Sequence, residues 1–253
     1  MDIYRIKTVH APGKSLKRMP LVEIVTTADS APAARDLAAY FVGKIGKLPL
    51  PVSSTPGFLV NRILMPYLLE AMVLYTEVTP DAHIDKAARH FGMPMGPIEL
   101  ADKVGLDICL SVANNLASPM HLSVPEKLKS LVSQGLLGLK IDQGFYRYKN
   151  SKPLADTALT RISNEQLITD RLLFRLFNES VSCLENKVVD NADLLDAGII
   201  FGTGFAPFLG GPLHYIEQQG IQVMDNKLIN LSQHYGERFK PVHGWEQLTP
   251  MLH

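Results

Sequence analysis

The run Phe58-Leu59-Val60-Asn61-Arg62-Ile63-Leu64-Met65-Pro66-Tyr67-Leu68-Leu69-Glu70-Ala71-Met72 constrains this chain more than any other, because only Arg62 and Glu70 in it carry charge. A helix of that composition must be covered on most sides, and Pro66 is expected to kink it. Its cover is legible further along. Asp170-Arg171-Leu172-Leu173 through Glu179-Ser180 repeats Asn61-Arg62-Ile63-Leu64 through Glu70-Ala71, with the same spacing of nine between the polar start and the glutamate. Phe91-Gly92-Met93-Pro94-Met95-Gly96-Pro97 likewise lines up with Phe201-Gly202-Thr203-Gly204-Phe205-Ala206-Pro207. Two copies of one helical unit, each with a helix too apolar to stand in water, bury both most simply by packing on each other. The expectation is an internal pseudo-dimer.

Ahead of the first copy the pattern differs. Leu21-Val22-Glu23-Ile24-Val25 is short and β-branched, which predicts a strand. Ala31 to Lys44 has the composition of a helix closed by Gly46, and Leu48 to Val52 is a second extended run whose prolines suit an edge. Such a lone strand-helix-strand unit would leave both sheet edges open and one face uncovered. Beyond Met72, helices are expected over Ala82–His90, Pro97–Leu116 and Pro125–Gln134, with turns from Gly135 to Tyr148 and a linker over Asn150–Asp156. The boundaries expected are 1–54 for the α/β piece, 55–150 for the first helical domain and 157–253 for the second.

Composition excludes several functions. The 25 basic and 25 acidic side chains cancel, so nothing draws the chain to nucleic acid as a whole. No stretch reaches the length of a membrane span, the N-terminus has no apolar signal region, and Cys109 and Cys183 lie far apart in apolar helical patterns. These features predict a cytoplasmic protein with reduced thiols. His83 and His90 share a helix face, but no further ligand completes a metal pattern, and Lys127, Lys129 and Lys140 read as a solvated face.

Arg18-Met19-Pro20-Leu21-Val22-Glu23-Ile24-Val25, Pro56-Gly57-Phe58-Leu59-Val60-Asn61-Arg62, Gly92-Met93-Pro94-Met95-Gly96-Pro97-Ile98-Glu99-Leu100-Ala101-Asp102 and Gly144-Phe145-Tyr146-Arg147-Tyr148 follow one another in the order of the 3-hydroxyacyl-CoA dehydrogenases. The chain resembles that family over about residues 17 to 245. The repeated block from Asn178-Glu179 to Gly210-Gly211-Pro212 makes it similar to the alpha subunit of the bacterial fatty acid oxidation complex. The resemblance implies a mainly α fold, with two tandem helical domains preceded by a short α/β remnant of a Rossmann sheet. It also implies NAD-linked oxidation of 3-hydroxyacyl-CoA to 3-oxoacyl-CoA in β-oxidation.

In that family a histidine takes the substrate hydroxyl proton, and a glutamate holds and charges the imidazole. Glu23 occupies the glutamate position. Asn61 occupies that of an asparagine whose amide helps polarise the substrate oxygen. His10 is the candidate base, but it lies one residue too far from Glu23, and the family's Phe-Phe-Asn after the histidine is absent. Ser53, Ser54 and Thr55 are loop residues able to add hydrogen bonds at the domain junction. No segment supplies the strand, Gly-x-Gly-x-x-Gly turn and helix of a dinucleotide site, and Gly202-Thr203-Gly204 reads as an interhelix turn. No cofactor-binding or metal-binding residue is therefore assigned, and this chain alone is not expected to hold NAD tightly or to be fully active. The competing expectation is a non-catalytic helical module that binds acyl-CoA or serves assembly. A homodimer, or a partner chain covering the open sheet edge, is expected with either reading.

Overall fold

The computed structural model describes residues 5–8 (backbone), 20–77, 79–154 and 164–252. The chain is mainly α, and it divides into two compact units, Met1–Ile63 with Phe177–His253, and Leu64–Leu176. Helices α2 (Val60–Thr76) and α7 (Glu165–Glu185) each contribute one end to each unit.

The first unit opens on a sheet of three strands in the order β1 (Arg5–Thr8), β2 (Leu21–Thr26), β3 (Leu48–Ser53). β2 and β3 are parallel, with Leu21 opposite Leu48 and Val25 opposite Val52, and α1 (Pro32–Lys44) crosses between them. The expected strand-helix-strand unit is present, but it does not stand open. β1 pairs antiparallel along the other side of β2. On β3, the Leu48 N–H donates to the Pro20 carbonyl at 2.7 Å, which sets the strand's phase. Pro49 and Pro51 then turn their nitrogens to the outer edge, where a missing N–H costs no ladder bond and discourages another strand.

Both faces of β2 are buried. Val22 and Ile24 pack with Val42, Ala38 and Ala39 of α1. Leu21 and Glu23 face the opposite way, toward α8 (Ala192–Thr203) and the start of α2. Gly198 and Gly202 allow that approach: a Cβ on Gly198 would lie 2.7 Å from Leu50 and 2.8 Å from Leu59, and one on Gly202 would lie 2.7 Å from Val60. The face expected to be bare is thus covered by a helix of the second copy.

The rest of the first unit is held by Asn178 in α7. Its Oδ1 accepts from the Val242 N–H and the Trp245 indole N–H, and its Nδ2 donates to the Lys240 carbonyl. The C-terminal segment is thereby fixed on α7. Helices α9 (Pro212–Gln219), α10 (Ile221–Tyr235) and α11 (Leu248–Leu252) complete the unit.

In the second unit, α3 (Asp81–Phe91), α4 (Pro97–Val104), α5 (Leu106–Ala117) and α6 (Glu126–Ser133) follow α2. The single helix expected from Pro97 to Leu116 is two, because Gly105 adopts φ +98 between α4 and α5. The expected linker after Tyr148 begins as a hairpin, β4 (Tyr148–Lys149) with β5 (Lys152–Pro153). Two buried aspartates organise this unit. Asp85 accepts from the Ile98 and Glu99 amides and the Tyr146 hydroxyl, while Asp102 accepts from the Phe145 and Tyr146 amides and the Tyr148 hydroxyl.

The first unit repeats the Asp85 device. Asp196 on α8 accepts from the Leu213 and His214 amides at the start of α9, as Asp85 on α3 does at the start of α4. Gly96-Pro97 and Gly211-Pro212 open the two capped helices, and each glycine lies against its aspartate. This corrects the register read from sequence, where Gly96-Pro97 was matched to Ala206-Pro207. A short helical turn over Pro207–Leu209 is inserted in the second copy and displaces the motif. Gly202 and Thr203 also belong to α8, and only Gly204, at φ +79, makes the turn.

Candidate functional site

Glu23 is the unusual residue of β2. It is 1 % exposed, flanked by Val22 and Ile24, and faces the first turn of α2. Gly57 at φ +80 and Phe58 at φ +51 turn the chain so that the Leu59 and Val60 amides point back at the strand. Both donate to Glu23 Oε1, at 2.8 and 3.1 Å. The carboxylate thus caps α2 from a neighbouring strand, where the helix dipole favours negative charge. Burial nevertheless dominates and pushes the Glu23 carboxyl up to about 7, against the downward pull of the two amides. The group changes charge near neutral pH.

Asn61 follows at once in α2, half-buried. Among the described residues its side chain makes no hydrogen bond, so its amide is not spent on the local backbone. At the end of β3, the Ser53 and Thr55 hydroxyl oxygens are buried without a partner among the described residues, while Ser54 is exposed. The structure therefore brings Glu23 and Asn61 to the start of one helix. His10 lies outside the described residues.

Sequence reasoning missed the support beneath this helix start. Arg62 Nε donates to Glu179 Oε1 at 2.6 Å in the first unit. In the second unit Arg171 reaches Glu70 at 2.6 Å and also bonds Glu77. The arginine of each copy meets the glutamate of the other, the reciprocity of an isologous interface. The nine-residue spacing that exposed the repeat was the signal for these pairs.

Among the described residues, the turn between the two parallel strands and their helix does not fit a dinucleotide. The turn from β2 to α1 runs Thr27-Ala28-Asp29-Ser30-Ala31, with no glycine, and the first turn of α1 has no side-chain cap. Among the described residues no cluster of histidine, cysteine and carboxylate could hold a metal, and no helix is long and apolar enough to cross a membrane. Cys109 and Cys183 are free and buried, and burial pushes the thiol of each upward.

This helical architecture, with a buried strand glutamate against a Gly-Phe-Leu-Val-Asn-Arg helix start, defines a class. Residues 57–148 match the 3-hydroxyacyl-CoA dehydrogenase, C-terminal domain, and the chain belongs to that family. Within it, the chain is 36 % identical over 236 residues to the fatty acid oxidation complex subunit alpha of Idiomarina loihiensis, a match covering 88 % of this chain and 33 % of that protein. The chain spans about a third of the length of the curated relatives it matches. Among solved structures, 3-hydroxybutyryl-CoA dehydrogenase from Escherichia coli K12 shares the fold, with TM-score 0.80 at 23 % identity over 91 % of this chain and 67 % of that one. The dehydrogenase part of multifunctional enzyme 1 from C. elegans matches at TM-score 0.66 and 26 % identity, over 91 % of this chain and 56 % of that one.

Proposed function

We propose that this chain is a 3-hydroxyacyl-CoA dehydrogenase homologue of fatty acid β-oxidation that contributes the substrate-side half of the site. The observation that carries this reading is the buried Glu23, held by the first amides of α2 immediately before Asn61. A carboxyl pushed up to about 7 costs stability wherever it is charged, and since the capping Asp85 is raised as far, it is the place of Glu23 beside Asn61 that supports a chemical role. In this role Glu23 holds and charges a histidine that takes the substrate hydroxyl proton, and the Asn61 amide donates to the substrate oxygen. His10 is the base this sequence offers. The family reaction is NAD-linked, and a dinucleotide cradle would have to come from outside the described residues. Residues 55–150 and 157–253 act as the two helical domains, with 1–54 as the α/β piece, and the setting is cytoplasmic.

A second reading is a helical acyl-CoA-binding or assembly module. It rests on α1, where Leu37, Tyr40 and Phe41 are 67, 63 and 55 % exposed, an apolar stripe available to a second copy or a partner chain.

Mixing the purified chain with acetoacetyl-CoA and NADH, and following NADH absorbance, separates the two. Consumption that Glu23→Gln, Asn61→Ala and His10→Ala each reduce at least tenfold supports the enzyme. Acetoacetyl-CoA binding by calorimetry that Glu23→Gln and Asn61→Ala leave unchanged, without NADH consumption, supports the module.

A further inference from the structure

The second helical copy has Asp170 at the position of Asn61, so it does not repeat the candidate site. It instead touches the first copy's site from two sides. Glu179 on α7 holds Arg62, the residue after Asn61. On α8, Gly198 lies against the Leu59 side chain and Gly202 against that of Val60, the two residues whose amides bond Glu23. Three contacts, on residues 59, 60 and 62, thus come from the second copy, through an ion pair and through close glycine packing. Cys183, one turn beyond Glu179, senses the same cluster: its thiol is raised first by burial and then by Glu179, lowered by Arg62 and raised by Glu23.

From this geometry we infer that the second copy is the positioning scaffold for the first copy's site, with Glu179 as a positioning residue acting through Arg62 on the start of α2. The inference rests on the reading of Glu23 and Asn61 as the site. It gives a role to the glutamate and to the two glycines of a copy that lacks the asparagine. Arg62 also closes the first turn of α2, its N–H donating to the Gly57 carbonyl at 3.2 Å. An anchored Arg62 side chain therefore fixes the phase of the turn that aims the Leu59 and Val60 amides and carries Asn61. Neither backbone bond can be kept if that turn rotates.

The test is the titration of Glu23 in the full chain, followed by the chemical shift of its 13C-labelled carboxyl. In Glu179→Gln the scaffold predicts that one amide bond to Glu23 weakens and that the midpoint rises from about 7 by about one pH unit, the scale of a lost backbone donor. Removing the negative charge of Glu179 without moving α2 would shift the midpoint down, so the sign separates positioning from simple electrostatics. Glu179→Asp is expected to recover at least half of the shift. Gly202→Ala, which pushes on Val60 and leaves every charge in place, is expected to raise the midpoint as well and provides the test if Glu179→Gln does not fold. A midpoint that stays or falls in the folded variant overturns the inference. Because titration is read without turnover, an inactive chain would count against the proposed function while leaving this result to stand or fall by itself.

Discussion

Replacing Glu23 by glutamine should make the protein more stable, and by an amount that depends on pH. The glutamine keeps an oxygen for the Leu59 and Val60 amides and removes the ionisable group. A carboxyl whose value is higher in the folded chain than in the unfolded chain binds more protons when folded at every pH between the two. Stability then falls as pH rises through that window and stays low above it. For Glu23 the window runs from the ordinary 4.5 to about 7. At ~1.4 kcal/mol per pH unit this is roughly 3 kcal/mol lost by pH 8, with little discount for screening because the group is buried. Urea unfolding of both proteins from pH 4.5 to 8.5 measures it. The two should agree at the acid end within ~1 kcal/mol, and glutamine should lead by ~3 kcal/mol at pH 8. Asp85 and Asp196, which burial pushes up to about 7 and about 6, titrate in both proteins and cancel in the difference. A gap that stays constant across the range would refute the reasoning, because it would show that Glu23 titrates alike in the folded and unfolded chain.

Other substitutions probe the framework. Glu70→Ala removes one of the two carboxylates on the buried Arg171 guanidinium and leaves Glu77, so about 2 kcal/mol should be lost in denaturant midpoint experiments. Replacing both residues with apolar ones of similar volume should recover most of that loss. Gly96→Ala places a methyl group 2.1 Å from the Asp85 carboxyl carbon, and Gly211→Ala places one 2.4 Å from that of Asp196. Each should cost about 2 kcal/mol or more, read as a fall in melting temperature. Asn178→Leu orphans the Val242 amide, the Lys240 carbonyl and the Trp245 indole N–H. Trp245 is the single tryptophan, so its fluorescence should shift to the red, with a loss of about 2 to 3 kcal/mol.

The sequence by itself determined most of the elements and the presence of the repeat. Apolar runs interrupted by Arg62 and Glu70, and again by Arg171 and Glu179, made long buried helices that had to cover each other, because the period of the apolar residues fixes a face and the composition fixes its burial. Pro49 and Pro51 marked an edge strand, since proline offers no N–H to a ladder. The motifs at Glu23 and Asn61 were legible as ancestry. Tertiary structure decided what those residues do to one another. A glutamate in a short strand reads equally well as a solvent-facing side chain, and only the covering helices make it buried, capped by α2 and raised to about 7. The register of the second copy was also beyond the sequence, because the turn inserted at Pro207–Leu209 moved the Gly-Pro pair away from its apparent match, and only the carboxylate that caps each helix shows which pairs correspond. The burial of a single polar side chain and its long-range hydrogen bonds are properties of chain segments brought together, and no local pattern of residue types encodes them.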